Sequence, residues 1–122
     1  MAESSIFYSW GAPVTGRETK GLEVFQEALG FWAKQKTMGH IEDFRVGLAA
    51  QGNYGTFGGY LVIEGSKKNI AELLENKDVR SLVTRAAHVV QNLMAVRCDT
   101  GAGVPTRVEE IVAARKQLGI TT

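Results

Sequence analysis

One cysteine, Cys98, stands in 122 residues. A lone thiol excludes an intrachain disulfide and any zinc site built from several cysteines. Charge of one sign is also missing: 14 basic residues face 13 acidic ones, a formal net charge of +1. That balance offers no basic stripe for nucleic acid and no polybasic anchor for anionic lipid. No apolar run approaches the roughly 20 residues that span a bilayer. The opening MAESSIFYSWG lacks the basic end and long apolar region of a signal peptide, so a cytoplasmic protein is expected.

Signatures of chemistry are equally sparse. GAPVTGRE has two glycines at phosphate-loop distance, but Arg17 and Glu18 stand where Lys and Ser or Thr would have to reach phosphate and magnesium. His40 and His88 are the only histidines and have no partners at metal-ligand spacing. No nucleophile elbow and no Cys-His pairing is present. No metal and no cofactor is therefore expected.

What the sequence has is regular patterning. SIFYSW at 5–10 is aromatic and β-favouring, and it runs into a breaker cluster. Leu22, Phe25, Leu29 and Trp32 then recur at helical spacing, with Val24, Ala28 and Phe31 widening the stripe. Thr15 and Glu18 are spaced as a capping box ahead of this helix, and Gly39 is a suitable stop. HIEDFRVGLAA and TFGGYLVIEG read as two strands of a hairpin joined by QGNYG. Ser66 caps a helix carrying Ile70, Leu73 and Leu74; Asp78 caps another with Val79, Leu82, Val83 and Ala86 inward. VVQNLMAVRCD is the last strand. After the flexible TGAGVP, a terminal helix at about 106–118 has Thr106 and Glu109 in capping-box spacing and a stripe of Val108, Ile111, Val112 and Leu118.

The order is βαββαβ plus a terminal helix, in one domain over 1–122 with its core at 5–100. This predicts an α+β, ferredoxin-like plan: a four-stranded antiparallel sheet, helices on one face, and an extra C-terminal helix. The opposite face of such a sheet normally meets water and reads polar. Here both sides of the strands carry large residues. Phe7 opposes Ile6, Tyr8 and Trp10; Leu61 and Ile63 oppose Tyr60 and Val62; Leu93 and Ala95 oppose Met94, Val96 and Cys98. A second copy of the chain is the economical cover, so a homodimer is expected. The terminal helix can pack on its own subunit or cross to the partner.

The element order, the hairpin EDFRVGLAAQGNYGTFGGYLVIEG and the run DVRSLVTRAAHVVQNLMAV resemble the dimeric α+β barrel superfamily over roughly residues 5–100. More narrowly, GRE at 16–18, FW at 31–32 and TRA at 84–86 are similar to blocks in small uncharacterised bacterial members. The resemblance implies ferredoxin-like subunits paired through their sheets. Members of the superfamily include cofactor-free quinone-forming monooxygenases, haem-degrading enzymes, muconolactone isomerases and chlorite dismutases.

Six residues are candidates for a ligand cleft. Tyr8, Trp10 and Tyr60 can wall a pocket for a flat organic molecule. Asp43 and Arg45 share a strand face away from Phe44, Val46 and Leu48; there Arg45 could steady a developing oxyanion, and the alternative is an ordinary ion pair at a rim. His88 or Asp43 could move a proton. The expectation is a homodimer that binds a small organic molecule; any catalysis would be cofactor-free oxygenation or isomerisation of an enolisable substrate. The alternative is a non-catalytic dimeric binding or assembly module.

Overall fold

The computed structural model describes residues 2–52 and 55–120 of the chain. Strand β1 (Ser4–Trp10) leads through a loop to helix α1 (Glu18–Thr37). Strands β2 (Asp43–Leu48) and β3 (Gly59–Gly65) form the expected hairpin, whose link includes Asn53 and Tyr54, outside the described residues. Helices α2 (Lys67–Glu75) and α3 (Lys77–Ala87) precede strand β4 (Met94–Asp99). A short 3-10 turn (Gly101–Gly103) then opens helix α4 (Val104–Gln117). The sheet is antiparallel throughout, in the order β2-β3-β1-β4. This is the ferredoxin-like arrangement.

The helix ends differ in detail from the sequence expectation. Ser66 does cap α2, accepting from the Asn69 amide at 3.1 Å. At α3 the cap is Asn76 rather than Asp78: its side-chain oxygen accepts from both the Asp78 and Val79 amides. Asp78 instead sits in the first turn, where its charge complements the helix dipole. Neither expected capping box forms. Arg17 occupies the N-cap of α1 and Gly103 that of α4, each without a side-chain bond. Gly16, at φ 86°, turns Thr15 away from the start of α1, and Pro105 starts α4 earlier than Thr106 would. Gly39, at φ 78°, ends α1 as anticipated, with the Gly39 amide returning to the Lys36 carbonyl at 3.0 Å.

Strand register sorts the side chains into cross-sheet rows. On the face under the helices, one row is Phe44, Ile63, Ile6 and Arg97, and the next is Val46, Leu61, Tyr8 and Ala95. Ile6, Ile63, Ile70 and Val79 are at or near zero exposure, joined by Trp32, Ile41, Leu61 and Leu73. Each such aliphatic burial stabilises by about 1.5–3 kcal/mol. Ile41 joins this core although it shares alternation parity with Asp43; it lies before the strand begins, so the alternation does not govern it. Val46 and Leu48 face the same side but stay 40% and 62% exposed, because β2 is the sheet edge. The last strand is shorter than its sequence run. Asn92 adopts φ 54° and breaks it, leaving Val90 to bridge Pro13.

The other face of the sheet is open. Its rows are Asp43, Glu64, Ser5 and Cys98; then Arg45, Val62, Phe7 and Val96; then Gly47, Tyr60, Ser9 and Met94. α4 has every residue exposed, including Val108, Ile111 and Val112 at 41–50%.

Candidate functional site

Between the sheet and the helices lies an open cavity of about 400 Å³. Its floor is Tyr8, Trp10, Leu61 and Gly58; its walls come from one side of α1 and of α3. On α1 the facing positions are Gly21, Phe25, Ala28 and Trp32, one helical face; on α3 they are Leu82, Val83 and Ala86. The cavity arises where small residues meet. The C-terminal half of α1 fills its share of the core with Trp32, against which Phe31 packs edge-on at 5.0 Å. Gly21 and Ala28 of α1, Ala86 of α3 and Gly58 border the remaining space, where Gly21 lies against Val89 and Pro13.

The end of the cavity is fastened by backbone. The Gly11 amide donates to the Gln91 carbonyl at 2.7 Å, the Gln91 amide to Ala12 at 2.9 Å, and the Val14 amide to Val89 at 2.9 Å. The Gly58 amide returns to Trp10. These segments meet so closely that a Cβ on Gly11 would lie 2.6 Å from the Gly55 carbonyl, and one on Gly58 2.5 Å from that of Gly11. Side chains are excluded from both positions. Trp10 then leans on Phe25 at 5.8 Å, and Leu22 stands 56% exposed at the rim. α1 and α3 are tied outside the cavity by Arg85, whose two terminal nitrogens donate to the two Glu27 carboxylate oxygens at 2.8 and 2.6 Å. This bond holds the Glu27 carboxyl below its ordinary value.

Among the described residues Tyr8 carries the one deeply buried hydroxyl in the wall. It is 6% exposed, and its hydroxyl has no hydrogen-bond partner among the described residues. Burial pushes its phenol up to about 12, so the group is a neutral donor at any physiological pH. Among the described residues Glu18 is the only other ionisable wall residue, and it is exposed at the first turn of α1.

The six sequence candidates do not share one cleft. Tyr8 and Trp10 line the cavity. Asp43, Arg45 and Tyr60 project from the opposite face, because register places them one residue out of phase with Phe44, Val46 and Leu61. There Asp43 accepts from the Lys36 ammonium and the Phe44 amide, both at 2.9 Å; Lys36 chiefly, then the amide, holds its carboxyl below the ordinary value. Arg45 pairs with Glu64 at 3.2 Å. Tyr60 stacks between Phe7 and Phe57, each 6.4 Å away, and its ring covers Gly47 so closely that no Cβ could stand there. His88 is exposed at the C-cap of α3. Its Nδ1 donates to the Thr84 carbonyl at 2.8 Å, and its own carbonyl accepts from Arg17 at 2.8 Å, fastening the start of α1. Gln91 and Asn92 are both exposed.

Among the described residues no group of three or more His, Cys, Asp and Glu side chains is placed to hold a metal ion. No helix among them is long and apolar enough to cross a membrane. Sequence reasoning missed the helix-borne walls. The signal was there in Gly21, Ala28 and Ala86, small residues on helical faces that line the cavity together with Gly58.

No family model matches the chain, and no curated protein does. Solved structures do. A dimeric ferredoxin-like protein of unknown function from Thermobifida fusca YX superposes with a TM-score of 0.60 at 11% identity, over 82% of this chain and 93% of that one. A dimeric protein of unknown function and ferredoxin-like fold from Bacteroides fragilis NCTC 9343 gives 0.55 at 13% identity, over 80% and 96%. These likenesses show the ferredoxin-like fold.

Proposed function

We propose that the chain is a homodimeric small-molecule-binding protein that takes a largely apolar organic ligand between its sheet and helices α1 and α3. The observation carrying this reading is the apolar cavity of about 400 Å³, within the size range of small-molecule sites. Two indoles and Phe25 suit it to a flat ring, and Leu22 and Leu48 stand exposed in its open wall. Binding is favoured over catalysis by His88, Asp43 and Arg45, since none of the three lines the cavity.

The partner is a second copy of the chain, covering the open sheet face. Four strands of six or seven residues present roughly 400 Å² in projection at about 4.8 Å between strands and 3.3 Å per residue. The exposed stripe of α4, about 21 Å long, extends that area toward the roughly 800 Å² per partner of a stable interface. Phe7, Val62, Tyr60, Val96 and Met94 make the centre apolar, while Arg45 and Glu64 form a charged rim. That two proteins of the same fold are dimeric supports a homodimer.

Fluorescence titration with N-phenyl-1-naphthylamine, a neutral apolar probe, tests the cavity. Saturable binding of one probe per chain is expected, abolished by Ala86→Phe, which fills the space between α3 and Trp10. Absence of saturation, or binding indifferent to Ala86→Phe, would overturn the reading.

A further inference from the structure

Resting on that cavity, we infer that the Tyr8 hydroxyl is the polar anchor of the site and that the ligand is an uncharged molecule with one hydrogen-bond acceptor, such as a ketone or ester carbonyl, on an apolar ring body. Three observations meet at this residue. Its hydroxyl is buried, has no partner among the described residues, and belongs to the cavity wall. Leaving such a group unsatisfied is costly, and native interiors avoid it unless something completes the bond. Its position is fixed: the Tyr8 backbone pairs with Leu61 on one side and Ala95 on the other, in the middle of the sheet. The hydroxyl thus presents a donor at a constant place, which is what discriminates ligands of similar apolar bulk.

The rest of the wall narrows the ligand class. Among the described residues no Lys, Arg or His lines the cavity, so a carboxylate or phosphate would lose its hydration with no countercharge. Glu18, the one charged wall residue among those described, repels anions further. The protonated phenol offers its O–H to an acceptor oxygen, and a carbonyl matches it better than an alcohol, whose own O–H would be left unpaired against the apolar wall. A carbonyl satisfies the hydroxyl, and a flat ring occupies the space between Trp10, Phe25 and Trp32.

The test is competition against N-phenyl-1-naphthylamine by three molecules of matched shape: 2-acetylnaphthalene, 2-isopropenylnaphthalene and 2-naphthoate. The natural chain should bind the ketone about 3- to 10-fold more tightly than the hydrocarbon, the range of one neutral hydrogen bond, and the carboxylate most weakly. Tyr8→Phe should erase the preference for the ketone, so that the two neutral compounds compete about equally. If the hydrocarbon binds both proteins but no ketone preference exists, or the preference survives in Tyr8→Phe, the anchor is wrong and the cavity stands. If neither neutral compound competes, the cavity reading fails and the anchor falls with it.

Discussion

Replacing Ala28 by Leu should stabilise the protein, and the sign of that effect tests whether the space is real. Ala28 lies on the inward face of α1, between Phe25 and Trp32, and borders the cavity. Leucine adds three carbons. At about 0.8 kcal/mol per buried CH₂ the gain is at most roughly 2.4 kcal/mol, and ordering the side chain returns about 0.5–1 kcal/mol of it. Helix propensity hardly changes between the two residues. A net gain of about 1–2 kcal/mol remains. With an unfolding entropy of about 2.1 cal/mol/K per residue over 122 residues, this corresponds to a rise in Tm of roughly 4–8 °C. Differential scanning calorimetry of the ligand-free protein measures it directly. Ala33→Leu, on the exposed side of the same helix, is the control and should shift Tm by less than about 2 °C. Overpacking of a filled core costs about 1–3 kcal/mol, so a fall in Tm with Ala28→Leu alone would mean that the helix has no room beneath it. The reasoning would then be refuted at its foundation.

Three further outcomes follow. Asn76→Ala should cost about 0.5–2 kcal/mol in urea unfolding, because one side-chain oxygen satisfies two first-turn amides of α3, whereas Thr106→Ala should be neutral within about 0.5 kcal/mol. The folded chain keeps the Tyr8 proton up to about pH 12, where the unfolded chain releases it near 10.0. Stability from this group is therefore complete below pH 10 and declines by roughly 2–3 kcal/mol as pH rises toward 12; Tyr8→Phe should lack that decline in urea melts across the range, and parallel curves would contradict it. Val96→Glu places a charge opposite Phe7 in the centre of the open face and should convert a dimer to folded monomer in sedimentation velocity; an unchanged sedimentation coefficient would move the interface elsewhere.

The fold was largely legible because its periodicities are local. Leu22 to Trp32 repeat at helical spacing, and the alternation through β2 and β3 is clean enough to separate Phe44, Val46 and Leu48 from Asp43 and Arg45. What alternation cannot tell is which parity faces the helices, and hence which aromatic residues share a space. Tyr8 and Tyr60 read alike as strand tyrosines, yet cross-strand register sends one under the helices and the other to the open face. The capping boxes misled for a related reason. Thr15-x-x-Glu18 has the right spacing, but Gly16 and the Arg17–His88 contact fix the helix start from outside the segment. A cavity is harder still to foresee, since it is a deficit of volume between elements distant in sequence.

The size of that deficit bears on what it is for. Empty space in a folded interior costs about 24 cal/mol per Å³, so a closed and dry void of 400 Å³ would cost roughly 10 kcal/mol. A domain of this length has about 5–15 kcal/mol of net stability in total. A packing defect on that scale would consume most of it, and interiors are otherwise packed as densely as organic crystals. The space is tolerable because it is open to solvent, with Leu22 and Leu48 exposed in its wall, and because a latch of backbone bonds at its end holds its shape without filling it. Gly11 and Gly58 allow that latch to close, and Gly21, Ala28 and Ala86 keep the helices from filling the space beneath. Among the described residues the cavity wall is apolar apart from one buried hydroxyl and the exposed Glu18. The proposed occupant, an apolar body with one acceptor, would restore the lost contacts and complete the hydroxyl's bond.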